Sequence, residues 1–147
     1  MIRQIKFSQI LPFWKNKLWP DRLSAIETNS AMNYQEGYCI ENMQYRPTFF
    51  GYFKGKEIIA VNSGHKCTGN NYRSRGLWVN EEYRNLGIGK KLLLKTIEQA
   101  RKENCSFIWS YPRKTSWPTY ESVGFNLTTD WEESETSEAN AYCLLLI

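Results

Sequence analysis

The segment from Leu77 to Leu93 constrains this chain most tightly. Leu77-Trp78-Val79 has the aromatic and β-branched character of a strand end. A polar turn, Asn80-Glu81-Glu82-Tyr83, leads to Arg84 and then to Gly87 and Gly89. Beyond them Ile88, Leu92, Leu93, Ile97 and Ala100 share one face of a 3.6-residue period. A helix therefore begins near Gly87, and Asn104 ends it. A strand, a tight turn and a helix start in this order build an anion cradle. Glycine lets a backbone approach a ligand closely. Unpaired N–H groups at a helix start point at that ligand. Arg84 adds a fixed charge and a forked donor. The ligand that fits is a diphosphate.

Spacing narrows the choice of diphosphate. A dinucleotide fingerprint needs a third glycine where Leu92 stands. A P-loop needs glycine where Arg84 stands and Ser or Thr where Lys91 stands. What remains is Arg-x-x-Gly-x-Gly, Arg84 to Gly89, after a strand ending in valine. This closely resembles the pyrophosphate-binding motif of the GCN5-related N-acetyltransferases, which bind acetyl-CoA. Tyr120-Glu121-Ser122-Val123-Gly124-Phe125 resembles a Tyr-Glu-x-x-Gly-Phe segment late in the same family. Physically that segment is a helix end, with Gly124 as the left-handed closing residue. The resemblance runs from roughly residue 46 to about 128.

The rest of the chain is read from pattern. Residues 1–7 alternate like a strand and lack the continuous apolar stretch of a signal peptide. Residues 9–18 and 23–32 read as helices, separated by a Trp19-Pro20-Asp21 turn. Residues 48–53 and 58–64 read as a hairpin around Lys54-Gly55-Lys56. Further strands are expected over 72–79, 105–111, 125–131 and 141–147. A short helix is expected over 117–123, with Ser116 as its N-cap and Pro118 in its first turn. An acidic loop is expected over 132–138. The length, 147 residues, suits one domain, residues 1–147, with a real core. No apolar run reaches the roughly 18 residues a membrane helix needs. Cys39, Cys67, Cys105 and Cys143 form no C-x-x-C pair, and one histidine completes no familiar zinc set, so no metal is expected. They read as reduced thiols of a cytoplasmic protein.

Charge is uneven. From Lys66 to Lys114 eleven basic residues face four acids, whereas from Thr115 onward there are six acids and no Lys or Arg. A basic middle suits a phosphate-rich cofactor. It also suits nucleic acid, a reading ranked lower because the charges lie largely on one helix and its flanks.

The family resemblance implies an α/β fold: a single acetyltransferase domain with a mixed, mostly antiparallel sheet and helices on both faces. The sheet would splay between the strands at 72–79 and 105–111. Acetyl-CoA, as cosubstrate, would lie in that gap. Backbone groups of Leu77, Trp78 and Val79 would pair with the pantetheine arm, and an N–H near Val79 would polarise the thioester carbonyl. Amides of Leu86, Gly87, Ile88, Gly89 and Lys90, with Arg84 and Asn85, would hold the pyrophosphate. A primary amine of a small molecule or peptide would attack the thioester directly in a ternary complex.

Tyr120 matches the family tyrosine that protonates the leaving thiolate, though a pantetheine-packing or core role fits it equally. Many relatives take the amine proton with a glutamate on the strand before the motif, but residues 72–79 hold no carboxylate. His65 is a candidate base by its ordinary pKa, with Glu132, Glu133 or a water chain as others. Arg113 and Lys114 could meet cofactor phosphate or an acidic acceptor. Phe13, Trp14, Trp19, Asp21, Tyr34 and Tyr38 lie where relatives wall the acceptor site; aromatic walls with carboxylates would favour a cationic amine. A non-catalytic CoA-binding module and, below it, a basic nucleic-acid-binding domain are the alternatives. A homodimer is left open.

Overall fold

The computed structural model describes residues 1–133 and 138–147. Among these residues seven strands form one open sheet: β1 (Ile2–Ile5), β2 (Thr48–Lys54), β3 (Glu57–Cys67), β4 (Asn71–Val79), β5 (Phe107–Ser110), β6 (Asn126–Leu127) and β7 (Cys143–Leu146). Their order is β1-β2-β3-β4-β5-β7-β6. Adjacent strands run antiparallel except β4 and β5, which are parallel. Parallel neighbours need a long crossover. Helix α2 (Ile88–Lys102) supplies it.

Alternation along β2 shows how the two faces are covered. Phe49 packs with Ile10 and Trp14, which belong to helix α1 (Phe7–Phe13) and the turn after it. Its neighbour Phe50 packs with Ile88 and Leu92 of α2. Successive strand residues face opposite ways, so α1 and α2 lie on opposite faces. The short helix α3 (Trp117–Ser122) joins the α2 side, where Tyr120 packs with Leu93 and Ile97. Leu92 and Leu93 are fully buried. Each such side chain contributes about 1.5–3 kcal/mol by leaving water. Asn104 (φ +60°) closes α2 and Gly124 (φ +104°) closes α3, both in the left-handed conformation.

Several expectations need correction. The helix expected over 9–18 starts earlier, at Phe7, and gives way at Trp14–Leu18 to a wider π turn, in which the Trp19 N–H reaches the Trp14 carbonyl (2.7 Å). Pro12, which lacks an amide proton, sits just before the change. No helix forms over 23–32. The Arg75 guanidinium donates to the Glu27 carbonyl there (2.9 Å), and the Asn29 amide is turned onto the Asn42 carbonyl (3.2 Å). The segment is thus pinned by side chains rather than by an apolar stripe. Ser116 has helical torsions and makes no side-chain cap, because a 3-10 turn over Lys114–Ser116 already winds the chain into α3. The strand expected over 125–131 shrinks to β6, and that over 105–111 to β5. The acidic loop of 132–138 lies mostly outside the described residues; at its margins Glu132 bridges to Asn140.

Candidate active site

A bulge in β4 sets the geometry. Val61 pairs with Trp78 and Ser63 with Arg75, so Asn62 alone faces both Gly76 and Leu77. Gly76 takes φ +79°, a left-handed value that side-chain-bearing residues avoid. The buried Trp14 indole donates to the Gly76 carbonyl (2.9 Å), and a Cβ on Gly76 would collide with that indole. A bulge bends its strand and raises the local twist. Pairing of β4 with β5 accordingly stops after Asn71–Phe107, Tyr72–Ile108 and Arg73–Trp109. The Ser110 hydroxyl makes one more tie, donating to the Ser74 carbonyl (2.9 Å). Beyond it the strands part.

Two adjoining clefts open from this gap. The larger, of about 490 Å³, gathers nine of the ten expected cofactor residues: Leu77, Trp78, Val79, Arg84, Asn85, Gly87, Ile88, Gly89 and Lys90. Leu86 is not among its walls and is 64% exposed. Asn85 (φ +64°) and Gly87 (φ +79°) turn the chain into α2. A Cβ at Gly87 would meet nothing within 4 Å, whereas one at Gly89 would press on Thr119 of α3 (3.2 Å). The first turn of α2 carries no acid, and its leading N–H groups have no intrahelical acceptor. Arg84 is steadied by its Nε–H, which donates to the Val79 carbonyl (3.0 Å). Strand end, glycine turn and helix start therefore form one wall whose chemistry suits an anion.

The smaller cleft, of about 240 Å³, lies at the apex of the gap. Leu18, Leu77, Arg113 and Ser116 line both clefts. Arg113 ties the approach to α3 to the π turn by donating to the Leu18 carbonyl. Tyr120 lines the smaller cleft at 3% exposure, its hydroxyl 3.3 Å from Ser110 Oγ. Burial, partly offset by the Ser110 hydrogen bond, pushes its pKa up to about 12, so it holds its proton at neutral pH. On the rim, Tyr111 donates to Glu132 (2.8 Å), and burial followed by that contact raises the Tyr111 pKa.

His65 does not join this site. It lies in β3, paired with Arg73, is fully buried and lines neither cleft. Burial is the main cause that lowers its pKa to about 3. An imidazole held neutral and sealed from both clefts cannot take a proton from a substrate there. The expected acceptor wall is likewise dispersed. Trp19 lines the smaller cleft, Trp14 is core, Phe13 packs on Trp78 (5.1 Å), Tyr34 stacks on Trp109 (6.0 Å), and Tyr38 and Asp21 face solvent. Residues not singled out beforehand matter more: Gly76, Ser110, Arg73 and Arg75. Only Gly76 carried a signal, since glycine inside a strand pattern marks a bulge.

Comparison with known proteins agrees with the geometry. The model of the acetyltransferase (GNAT) family matches residues 11–125. The chain therefore belongs to the GNAT acetyltransferase family. No curated protein matches it in sequence. Among solved structures it is similar to an IAA acetyltransferase from Bacillus cereus, at TM-score 0.69 and 16% identity, covering 100% of this chain and 99% of that one. It is also similar to the ribosomal-protein-S18-alanine N-acetyltransferase of Escherichia coli (TM-score 0.65, 16% identity, 100% and 93% covered). A Bacillus subtilis acetyltransferase in complex with CoA is comparable (TM-score 0.65, 14% identity, 99% and 97% covered). At such identities the likeness speaks for the fold. Among the described residues no helix is long and apolar enough to cross a membrane.

Proposed function

We propose that this protein transfers the acetyl group of acetyl-CoA to a primary amine of a small molecule or peptide. The observation that carries the reading is the parting of β4 from β5 beside the α2 cradle, with Tyr120 at its apex. The pyrophosphate would lie against the amides from Leu86 to Lys90, with Arg84 and Asn85 beside it. Edge groups of Leu77, Trp78 and Val79, freed from β5, would pair with the pantetheine arm. An N–H near Val79 would face the thioester oxygen, where negative charge develops as the amine attacks. The C–S bond then breaks, and Tyr120 gives its proton to the departing thiolate, whose ordinary pKa is about 8.5.

The attacking amine must shed a proton. No Asp or Glu lines the smaller cleft among the described residues. Glu132 accepts from Tyr111, which lines that cleft, and water would carry the proton to this carboxylate. The missing carboxylate on β4 is also what favours a second reading, a CoA-binding module without turnover. The placement of Tyr120 favours turnover.

Calorimetric titration with acetyl-CoA, alongside 3′-dephospho-CoA and ADP, tests the cofactor. Saturable binding that depends on the pyrophosphate is expected, followed by thiol release in an amine panel. Absence of binding at millimolar acetyl-CoA would reduce the glycines to a structural turn. Binding without thiol release from any amine would favour the module.

A further inference from the structure

The small cleft is cationic. Arg73, Arg75 and Arg113 line it together, and Arg22 stands close enough to act on both Arg73 and Arg75. Three of these guanidinium groups are engaged by the protein. Arg75 donates to the Glu27 carbonyl (2.9 Å) and lies over the rings of Trp14 (4.8 Å) and Trp19 (5.4 Å), with the Glu27 charge also acting on it. Arg113 donates to Leu18, and Arg22 to Ser24 Oγ (3.0 Å) and the Ala25 carbonyl (3.1 Å). Arg73 differs. Its guanidinium lies over the Trp109 ring (5.1 Å) and, among the described residues, makes neither a hydrogen bond nor an ion pair. Its Nε–H is buried and has no acceptor among the described residues. A buried donor without a partner is costly, so native structures rarely leave one unless ordered water, an ion or a ligand completes it.

Position adds to this. Arg73 is the last β4 residue paired with β5, one residue before Ser74, whose carbonyl accepts the Ser110 hydroxyl's hydrogen bond beside Tyr120. Arg73 therefore sits where the two strands part, next to the group proposed to protonate the thiolate. It occupies the strand on which many relatives place a base. Contact with the Trp109 ring restrains the guanidinium, whose forked donors suit a planar carboxylate or a phosphate. Of the acids near the cleft, Glu132 is turned to Tyr111 and Glu27 to the Arg75 side.

We infer that the acceptor is an amine that also carries an anionic group, a carboxylate or a phosphate, and that Arg73 is the residue that binds this group. The inference rests on the acetyltransferase reading above and names its substrate class. The anion would be held where the two strands part while the amine turns toward the thioester. Cationic polyamines and lysine-rich peptides, favoured by an acidic wall, would be poor acceptors.

The test uses matched acceptors on the whole protein. Thiol release from acetyl-CoA is followed with amino acids against their carboxamides, and with glucosamine 6-phosphate against glucosamine. The first pair reports a carboxylate source and the second a phosphate source. In one of the two sets the anionic member should exceed its neutral partner by about 10–100-fold in kcat/KM, the usual worth of a charge-assisted contact. Arg73→Gln should bring that ratio close to one, and Arg73→Lys should keep part of it. Equal turnover of charged and neutral members, preference for neutral or cationic amines, or a ratio that survives Arg73→Gln would each overturn the inference. The ratio is read within one protein, so a general loss of folding in a variant cannot imitate the result, and the wild-type comparison needs no variant. Calorimetry with acetyl-CoA is run in parallel. Failure there removes the underlying reading, whereas cofactor binding with no anion preference removes only the substrate class.

Discussion

Tyr120 and His65 are both buried polar rings, and their surroundings give them opposite uses. Tyr120 touches the cleft and keeps its proton up to about pH 12. Tyr120→Phe should lower kcat by about 10–100-fold while acetyl-CoA affinity stays within about twofold. The wild-type rate should show no alkaline fall from this group between about pH 7 and 10; stopped-flow thiol release checks both. His65 acts on stability instead. Its pKa is about 6.5 when unfolded and about 3 in the folded protein, so between these values only the unfolded chain takes up the proton. That contribution is intact above pH 6.5 and is lost as pH falls through the window. Urea unfolding should lose roughly 2 kcal/mol from this source between about pH 7 and 5, and His65→Gln should flatten that slope. The burial of His65 was partly legible. β3 reads Ile58-Ile59-Ala60-Val61-Asn62-Ser63-Gly64-His65, a run of apolar and small residues with few charges, which marks a strand covered on both faces. The open side of Arg73 was not legible, because only the fold reveals which partners a charge lacks.

At the scale of elements, local signals were readable and long-range ones were not. Gly87, Gly89 and Asn104 punctuate α2 from within its own sequence, and the helix lies where they put it. The segment over 23–32 was misread because its conformation is set by Arg75 and Asn42, both remote in the chain. The β4 bulge is of the second kind, since Gly76 is held by Trp14 across 62 positions. Gly76→Ala meets both an unfavourable torsion and the indole. It should destabilise the protein by about 2–4 kcal/mol in urea unfolding and weaken acetyl-CoA binding as β4 straightens toward β5. Gly87→Glu should act differently. It forces a side chain into a left-handed position and sends a carboxylate toward the cradle, so calorimetry should detect no acetyl-CoA binding at micromolar ligand, while much of the fold's stability survives. Unchanged affinity in this variant would remove the cradle from cofactor binding.

For the whole molecule, the basic middle seen in the sequence resolves into places with different uses. Lys95 and Lys102 pair with Glu98 on an exposed helix face and contribute little. Arg84, Lys90 and Arg113, joined by Lys17 from outside that stretch, line the larger cleft, where no acid accompanies them among the described residues. An anionic cosubstrate should be steered there, so its KM should rise about 3–10-fold between 0.05 and 0.5 M NaCl, with a much smaller change in kcat. The two clefts also share a wall: Leu18, Leu77, Arg113 and Ser116 belong to both. A pantetheine arm lying against that wall, as proposed, would become part of the neighbouring chamber, which would be incomplete until the cosubstrate arrived. Binding would be ordered, with the acceptor second, and the affinity each ligand lends the other must be the same in both directions. An acyl chain longer than acetyl would extend through the shared wall into the acceptor's space, so the partition that couples the two ligands would also measure the length of the group being moved.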